Sequence, residues 1–301
     1  MPVDLTDFKA NWTQFPESFD LNGRVLDNAQ FTHASLIKAN LGNTKCASKA
    51  PVDFSNAELR DATLTGTVLP GAIFNGAVLS GANMATSNLF GAKFLGAYLN
   101  TTAASRVTNL SDCNLRDADF SNAHLDGSNG RPGANLTKVR LWGDNAKIAN
   151  ATLAGAVFTG SYLGSLDLRN IKGEAMRGVQ FTDACLVNCK FNGSALIDCF
   201  LNNACLYGAD FSDAELYGAT FNNAWVSTED REQTLKLIGM PTLPSVTYKR
   251  TVINGDKTNS ATTCADSTSG PCKTDASWRR AGALPTEWQY KGPVFGDERV
   301  E

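Results

Sequence analysis

From Ile171 to Val226 a large apolar residue recurs at every fifth position, with a small residue two places before it. Four consecutive units show the pattern: Ala204-Cys205-Leu206-Tyr207-Gly208, Ala209-Asp210-Phe211-Ser212-Asp213, Ala214-Glu215-Leu216-Tyr217-Gly218 and Ala219-Thr220-Phe221-Asn222-Asn223. A period of five fits neither the 3.6 of a helix nor the 2 of a strand. Each unit must therefore be a short extended piece followed by a turn, and the chain must wind into a solenoid. Two residues per unit face inward, the large centre and the small residue two before it; the other three face water.

The phenylalanines give the number of sides. From Val52 to Thr101 the centres are Phe54, Leu59, Leu64, Leu69, Phe74, Leu79, Met84, Leu89, Phe94 and Leu99, so Phe returns every twenty residues. Twenty residues make four sides of five, and identical side chains then stack along the axis at the rise of in-register parallel strands, about 4.8 Å per coil. The expected fold is all-β, a right-handed quadrilateral parallel β-helix. Its expected core includes Phe54, Phe74, Phe94, Phe120, Phe181, Phe191, Phe211 and Phe221.

On these residues the chain resembles the pentapeptide-repeat family, whose pattern is Ala-(Asp/Asn)-Leu/Phe-X-X, over roughly residues 21–226. The resemblance implies a fold and not a chemistry. One branch of the family protects DNA gyrase from inhibitors by resembling duplex DNA, which implies an acidic rod, commonly a two-fold dimer, with corner loops touching the topoisomerase.

Composition narrows the alternatives. The 301 residues are 43% hydrophobic with a net charge of -3, enough for a sizeable core and without the basic excess of a nucleic-acid binder. No stretch approaches the roughly 20 apolar residues of a membrane span, and Met1-Pro2-Val3-Asp4 does not begin a signal peptide, so the expected location is the cytoplasm. Of the 8 cysteines, Cys113, Cys189 and Cys199 fall at the small inward position and read as buried apolar residues. Cys185 and Cys189 point to opposite sides of the wall, which rules against a shared metal.

Along the chain, Leu5, Phe8, Trp12 and Phe15 at helical spacing predict a capping helix over residues 1–20. Repeats then run over 21–226. Eight extra residues between Leu41 and Phe54 predict a corner loop near 42–51, and six-residue excesses predict others near 100–108 and 127–134. Smaller slips follow Leu141 and Leu168. Ser227-Thr228-Glu229-Asp230 opens a capping-box pattern, predicting a cap helix over 227–240. Residues 241–301 leave the period. Trp278, Trp288, Tyr290 and Phe295 argue that this tail packs on the solenoid, and Cys264 and Cys272 could bridge a short loop there, although an intracellular location disfavours the disulfide.

Nothing in the sequence predicts catalysis. A regular wall offers no concave cluster of titratable groups; His33 and His124 fall outside, and Asp117 and Asp119 sit at the outward acidic place of the repeat. Neither a cofactor nor a metal site is expected. The reading that remains is a rigid protein-interaction scaffold, with gyrase protection as the alternative; the expected partner is a protein, a type II topoisomerase under the alternative, without direct contact to nucleic acid or membrane, and the chain is expected to be a monomer or a homodimer. Residues 21–226 hold sixteen acids and sixteen bases, a poor copy of a phosphate backbone. The candidate interaction surface is an outward apolar column, Cys185, Val187, Cys205, Tyr207 and Trp225, which is either covered by the tail or open to a partner or second copy.

Overall fold

The computed structural model describes residues 4–101, 106–127, 131–206, 208–222 and 224. They form one right-handed quadrilateral β-helix held by parallel bridges between successive coils. The residue just before each centre carries the bridge. Four ladders result: side 1 through Val25, Lys45, Val68 and Asn88; side 2 through Gln30, Asp53, Ile73 and Lys93; side 3 through Ser35, Glu58, Val78 and Tyr98; side 4 through Asn40, Thr63, Asn83 and Asn109. The only helical element among the described residues is a 3-10 turn, Gly173–Met176.

The unit Ala72–Ala77 shows why five residues make one side. Ile73 N–H donates to the Val52 carbonyl one coil back (3.0 Å), and Phe74 and Gly76 donate forward to Lys93 (2.7 Å) and Leu95 (2.9 Å). Ala77 N–H closes the corner on the Phe74 carbonyl at 3.0 Å. The second central residue of that turn, Gly76, has φ +65°, as a type II turn requires. Asn and Asp, which tolerate this region better than most residues, hold many of the equivalent corners, among them Asn56, Asp61 and Asn122.

The unit leaves one donor over, the N–H directly after the centre. Side chains accept it: Asp53 Oδ1 from Ser55 N–H (2.8 Å), Asn109 Oδ1 from Ser111 N–H (3.1 Å) and Asn135 Oδ1 from Thr137 N–H (3.1 Å). The preference for Asp or Asn before the centre thus has a local cause: it caps the backbone group that the rungs do not use.

The centres fill the lumen. Phe31, Phe54, Phe74, Phe94 and Phe120 form one column with successive centroids 5.3, 5.3, 5.0 and 4.5 Å apart and nearly parallel planes. A second column opposite contains Phe158 and Phe181, and the two meet edge to face at Phe181–Phe191 (5.9 Å, 75°) and Phe211–Phe221 (6.0 Å, 81°). All eight expected core phenylalanines are buried.

Two expectations about boundaries change. Residues 4–20 form no helix: Asp4, Lys9, Gln14 and Asp20 bridge to Val25, Gln30, Ser35 and Asn40 as a first coil. Leu5, Ala10 and Phe15 share the five-residue spacing as well as the helical one, and pairing with the open edge of the next coil decides between them. Trp12 accordingly points outward, 70% exposed, stacked on His33 at 3.8 Å, while Phe8 and Phe15 lean over Phe31 at the end of the lumen.

The loop expected near 42–51 is shorter. Lys45 bridges to both Val25 and Val68, and the buried Cys46 stands in the centre place, so 42–46 is a regular side and only the next corner is enlarged. A cysteine serving as a centre escapes a search for large apolar residues. The slip near Leu168 is the 3-10 turn, inserted between Ile171, whose carbonyl accepts from Ala195 N–H, and the centre Met176. The described parts of 100–108 and 127–134 lie on the corner between sides 3 and 4 of successive coils. The helix expected at 227–240, the tail 241–301 and the Cys264–Cys272 pair lie outside the described residues.

Phe74→Ala should cost about 3 to 5 kcal/mol in denaturant unfolding, because its ring is packed on both faces. Ala72→Leu should cost about 1 to 3 kcal/mol, since the fully buried position has no room for a larger side chain. A loss below about half a kcal/mol at Phe74 would contradict this stacking.

Candidate interaction surface

Each side presents two outward columns, one before and one after the centres. Side 2 alternates in charge from coil to coil: Lys93, Asp119 and Lys147 follow one another, then Asp167, Lys190 and Asp210. Lys147 Nζ lies 3.8 Å from Asp119 Oδ2, and Arg169 binds Asp167 at 2.6 Å, holding that carboxyl below its ordinary pKa. Side 4 from Asn40 to Asn222 carries Asn, Thr, Ser, Gln and apolar residues and no charge in either column. Neither side offers a continuous acidic stripe.

Side 1 differs. Its column after the centres runs Phe90, Arg116, Trp142. The Arg116 guanidinium lies between the two rings, 5.9 Å from the Phe90 centroid and 4.6 Å from that of Trp142, and Trp142 meets Tyr162 edge to face at 5.7 Å. Tyr162 in turn bridges to Cys185, and Cys185 to Cys205. The expected column is therefore the C-terminal end of a longer stripe that begins at Phe90.

The corner after Leu141 positions Trp142. Gly143 has φ +118°, and a Cβ there would overlap the Asp117 carboxylate. Asp117 Oδ1 accepts Asn145 N–H at 3.1 Å, and Oδ2 lies 3.6 Å from Arg116 Nε. One carboxylate thus fixes the enlarged corner and orients the guanidinium beneath the indole.

Of the expected surface residues, Cys185, Val187 and Cys205 lie on side 1 but are buried; Tyr207 and Trp225 lie outside the described residues. Phe90, Arg116, Trp142 and Tyr162 were not expected. Their alignment depends on coils of 22 to 26 residues, so a twenty-residue ruler misses it; placing each excess at a corner recovers it.

The chemistry elsewhere on the wall is modest. His124 stacks on Tyr98 (4.8 Å) and its Nδ1 is 3.3 Å from Thr152 Oγ1, whose hydroxyl makes its shorter contact to Asp126. With that proton directed to the carboxylate, the hydroxyl is not presented to His124 as a nucleophile would be. The inward thiols donate to carbonyls, Cys113 to Met84 at 3.0 Å, Cys189 to Leu163 at 2.9 Å and Cys199 to Met176 at 3.0 Å. Burial pushes Cys113 and Cys199 up to about 12 and raises Cys189 as well, so these thiols are inert. Among the described residues no group of His, Cys, Asp and Glu could hold a metal ion, and no helix is long and apolar enough to cross a membrane.

The five-residue unit, its capping Asp or Asn and the four stacked sides are all in place, and the family model described as pentapeptide repeats matches the chain in 8 copies, within residues 52–84, 74–102, 108–143, 176–213 and 196–227. The chain belongs to the pentapeptide-repeat family. No curated protein sequence matches it. Among solved structures, this pentapeptide-repeat protein is similar to HetL, a pentapeptide-repeat protein involved in heterocyst differentiation regulation in the cyanobacterium Nostoc sp. strain PCC 7120. The two are 23% identical over 74% of this chain and 88% of that one, with a TM-score of 0.47. Trypsin-treated QnrB1, a plasmid-mediated fluoroquinolone resistance protein, is 20% identical over 71% of this chain and 89% of its own, TM-score 0.32. A pentapeptide-repeat protein from the Arabidopsis thaliana thylakoid lumen is 28% identical over 36% of this chain and 67% of its own, TM-score 0.22.

Gly143→Ala should destabilise the protein by about 1 to 3 kcal/mol in denaturant unfolding, from the strained φ and the overlap with Asp117 together. Gly91→Ala, where φ is +64° but a Cβ would meet nothing within 4 Å, should cost less. Equal costs would show that the Asp117 contact does not shape the corner.

Proposed function

We propose that this pentapeptide-repeat protein is a non-catalytic scaffold that binds a protein partner through the aromatic stripe of side 1. The observation that carries this reading is the Phe90–Arg116–Trp142–Tyr162 series: large rings and a guanidinium held in one arrangement on a rigid wall, with Phe90 and Arg116 open to solvent. Trp, Tyr and Arg dominate the energetics of interfaces. Side chains already locked by their neighbours lose little freedom on binding, so more of the contact energy appears as affinity.

The alternative, protection of a topoisomerase by imitation of duplex DNA, asks for a run of uncompensated negative charge. The charges on this wall alternate in sign from coil to coil on side 2, and the columns flanking the centres of side 4 carry none. Imitation of a phosphate backbone draws no support from that pattern.

Affinity capture from native extract tests the reading when three baits are compared: the native chain, the double variant Arg116→Ser with Trp142→Ser, and Thr137→Ala on side 4 as a control. The partner retained by the native chain should fall about tenfold or more with the double variant, the loss expected of central anchors, and should be unchanged with Thr137→Ala. Equal retention by all three baits contradicts the assignment to side 1. Purified protein added to a DNA gyrase supercoiling reaction inhibited by a quinolone should give no rescue; dose-dependent rescue would put topoisomerase protection in place of the present reading.

A further inference from the structure

Side 1 is buried at its C-terminal end. Val68, Cys185 and Cys205 hold the same place, just before the centre of the same side, yet Val68 is 39% exposed and the two cysteines are 7% and 1% exposed. In the column after the centres, Phe90 is 39% exposed and Val187 is 3% exposed. None of the three buried residues belongs to the lumen cluster, so the lumen does not account for their burial. The last described rung places Thr220 on side 4, the side that precedes side 1 in every described coil.

We propose that residues 241–301 of this chain are the occupant of the C-terminal end of side 1, lying over Cys185, Val187 and Cys205. The segment leaves the five-residue period and so does not extend the wall, and it carries Trp278, Trp288, Tyr290 and Phe295, apolar surface that needs a partner. Its length is ample: two coils span about 10 Å, which a few extended residues cover at roughly 3.3 Å each. The inference stands apart from the partner reading, which concerns Phe90 to Tyr162, and its test involves no partner.

The native thiols report the cover. In the full chain, the rate at which a small neutral alkylating reagent modifies each cysteine is followed by peptide mass mapping. The native chain is compared with a full-length variant carrying Trp278→Ser, Trp288→Ser, Tyr290→Ser and Phe295→Ser. Cys185 and Cys205 should react at least about tenfold faster in the variant, while Cys113, Cys189 and Cys199 stay protected and so report an intact lumen. Unchanged protection of Cys185 and Cys205 overturns the proposal, because the wall then covers itself. Protection in the native chain that falls on dilution overturns it as well, because the cover is then a second copy.

Discussion

Parallel hydrogen bonds between coils are the interaction on which the rest depends. A parallel ladder pairs each bridge residue with its counterpart one coil on, Asp53 with Ile73 and Ile73 with Lys93, through the Phe54 and Phe74 N–H groups that donate to the Ile73 and Lys93 carbonyls. With those bonds made, the register has no freedom left: the stacked rings, the capping Asp and Asn side chains and every outward column follow from it. The solenoid also removes the usual difficulty of a parallel sheet, which elsewhere needs helices to cover its faces. Here the strands close on themselves, and one lumen two side chains wide serves all four sides.

Corners absorb irregularity, and this separates the fold from its surface. Coils of 21, 22, 23 and 26 residues occur beside coils of 20, yet the bridges of side 1 continue through all of them from Asp4 to Cys205, because every excess falls outside that side. The corner between sides 4 and 1 takes no excess in any described coil, so the uncharged side and the aromatic side meet along an unbroken edge. A partner approaching that edge meets a straight wall rather than loops.

Much of this was legible in the sequence and some was not, for identifiable reasons. The fold follows from the spacing of Phe54, Phe74 and Phe94 alone. The first coil did not, because Leu5, Phe8, Trp12 and Phe15 satisfy a helical period locally, and only the unpaired edge at Val25 and Gln30 selects the coil. Cys46 hid a side because its size is that of an inward filler while its place is that of a centre. The stripe was half visible: Cys185 and Cys205 are separated by twenty residues and were found, whereas Arg116, Trp142 and Tyr162 are separated by corner insertions and were not. Burial at Cys185, Val187 and Cys205 depends on what packs against each side chain, which the register does not state.

Hydrogen exchange on the full chain, resolved to single amides, tests the register most directly. The unit assigns a rung or turn bond to four amides in five and leaves the amide directly after each centre to a side chain or to solvent. Protection should therefore repeat every five residues within each regular run between Leu5 and Phe221, strong at centres such as Phe54, Phe74 and Phe94 and weak at Thr65 and Asn75. Its phase should advance by three residues between Cys46 and Phe54 and by two between Leu141 and Ile148, and the pattern should include Asp4 to Asp20. A helical pattern of continuous protection over residues 4–20, or an unshifted five-residue phase from Cys46 to Phe54 or from Leu141 to Ile148, would contradict the account.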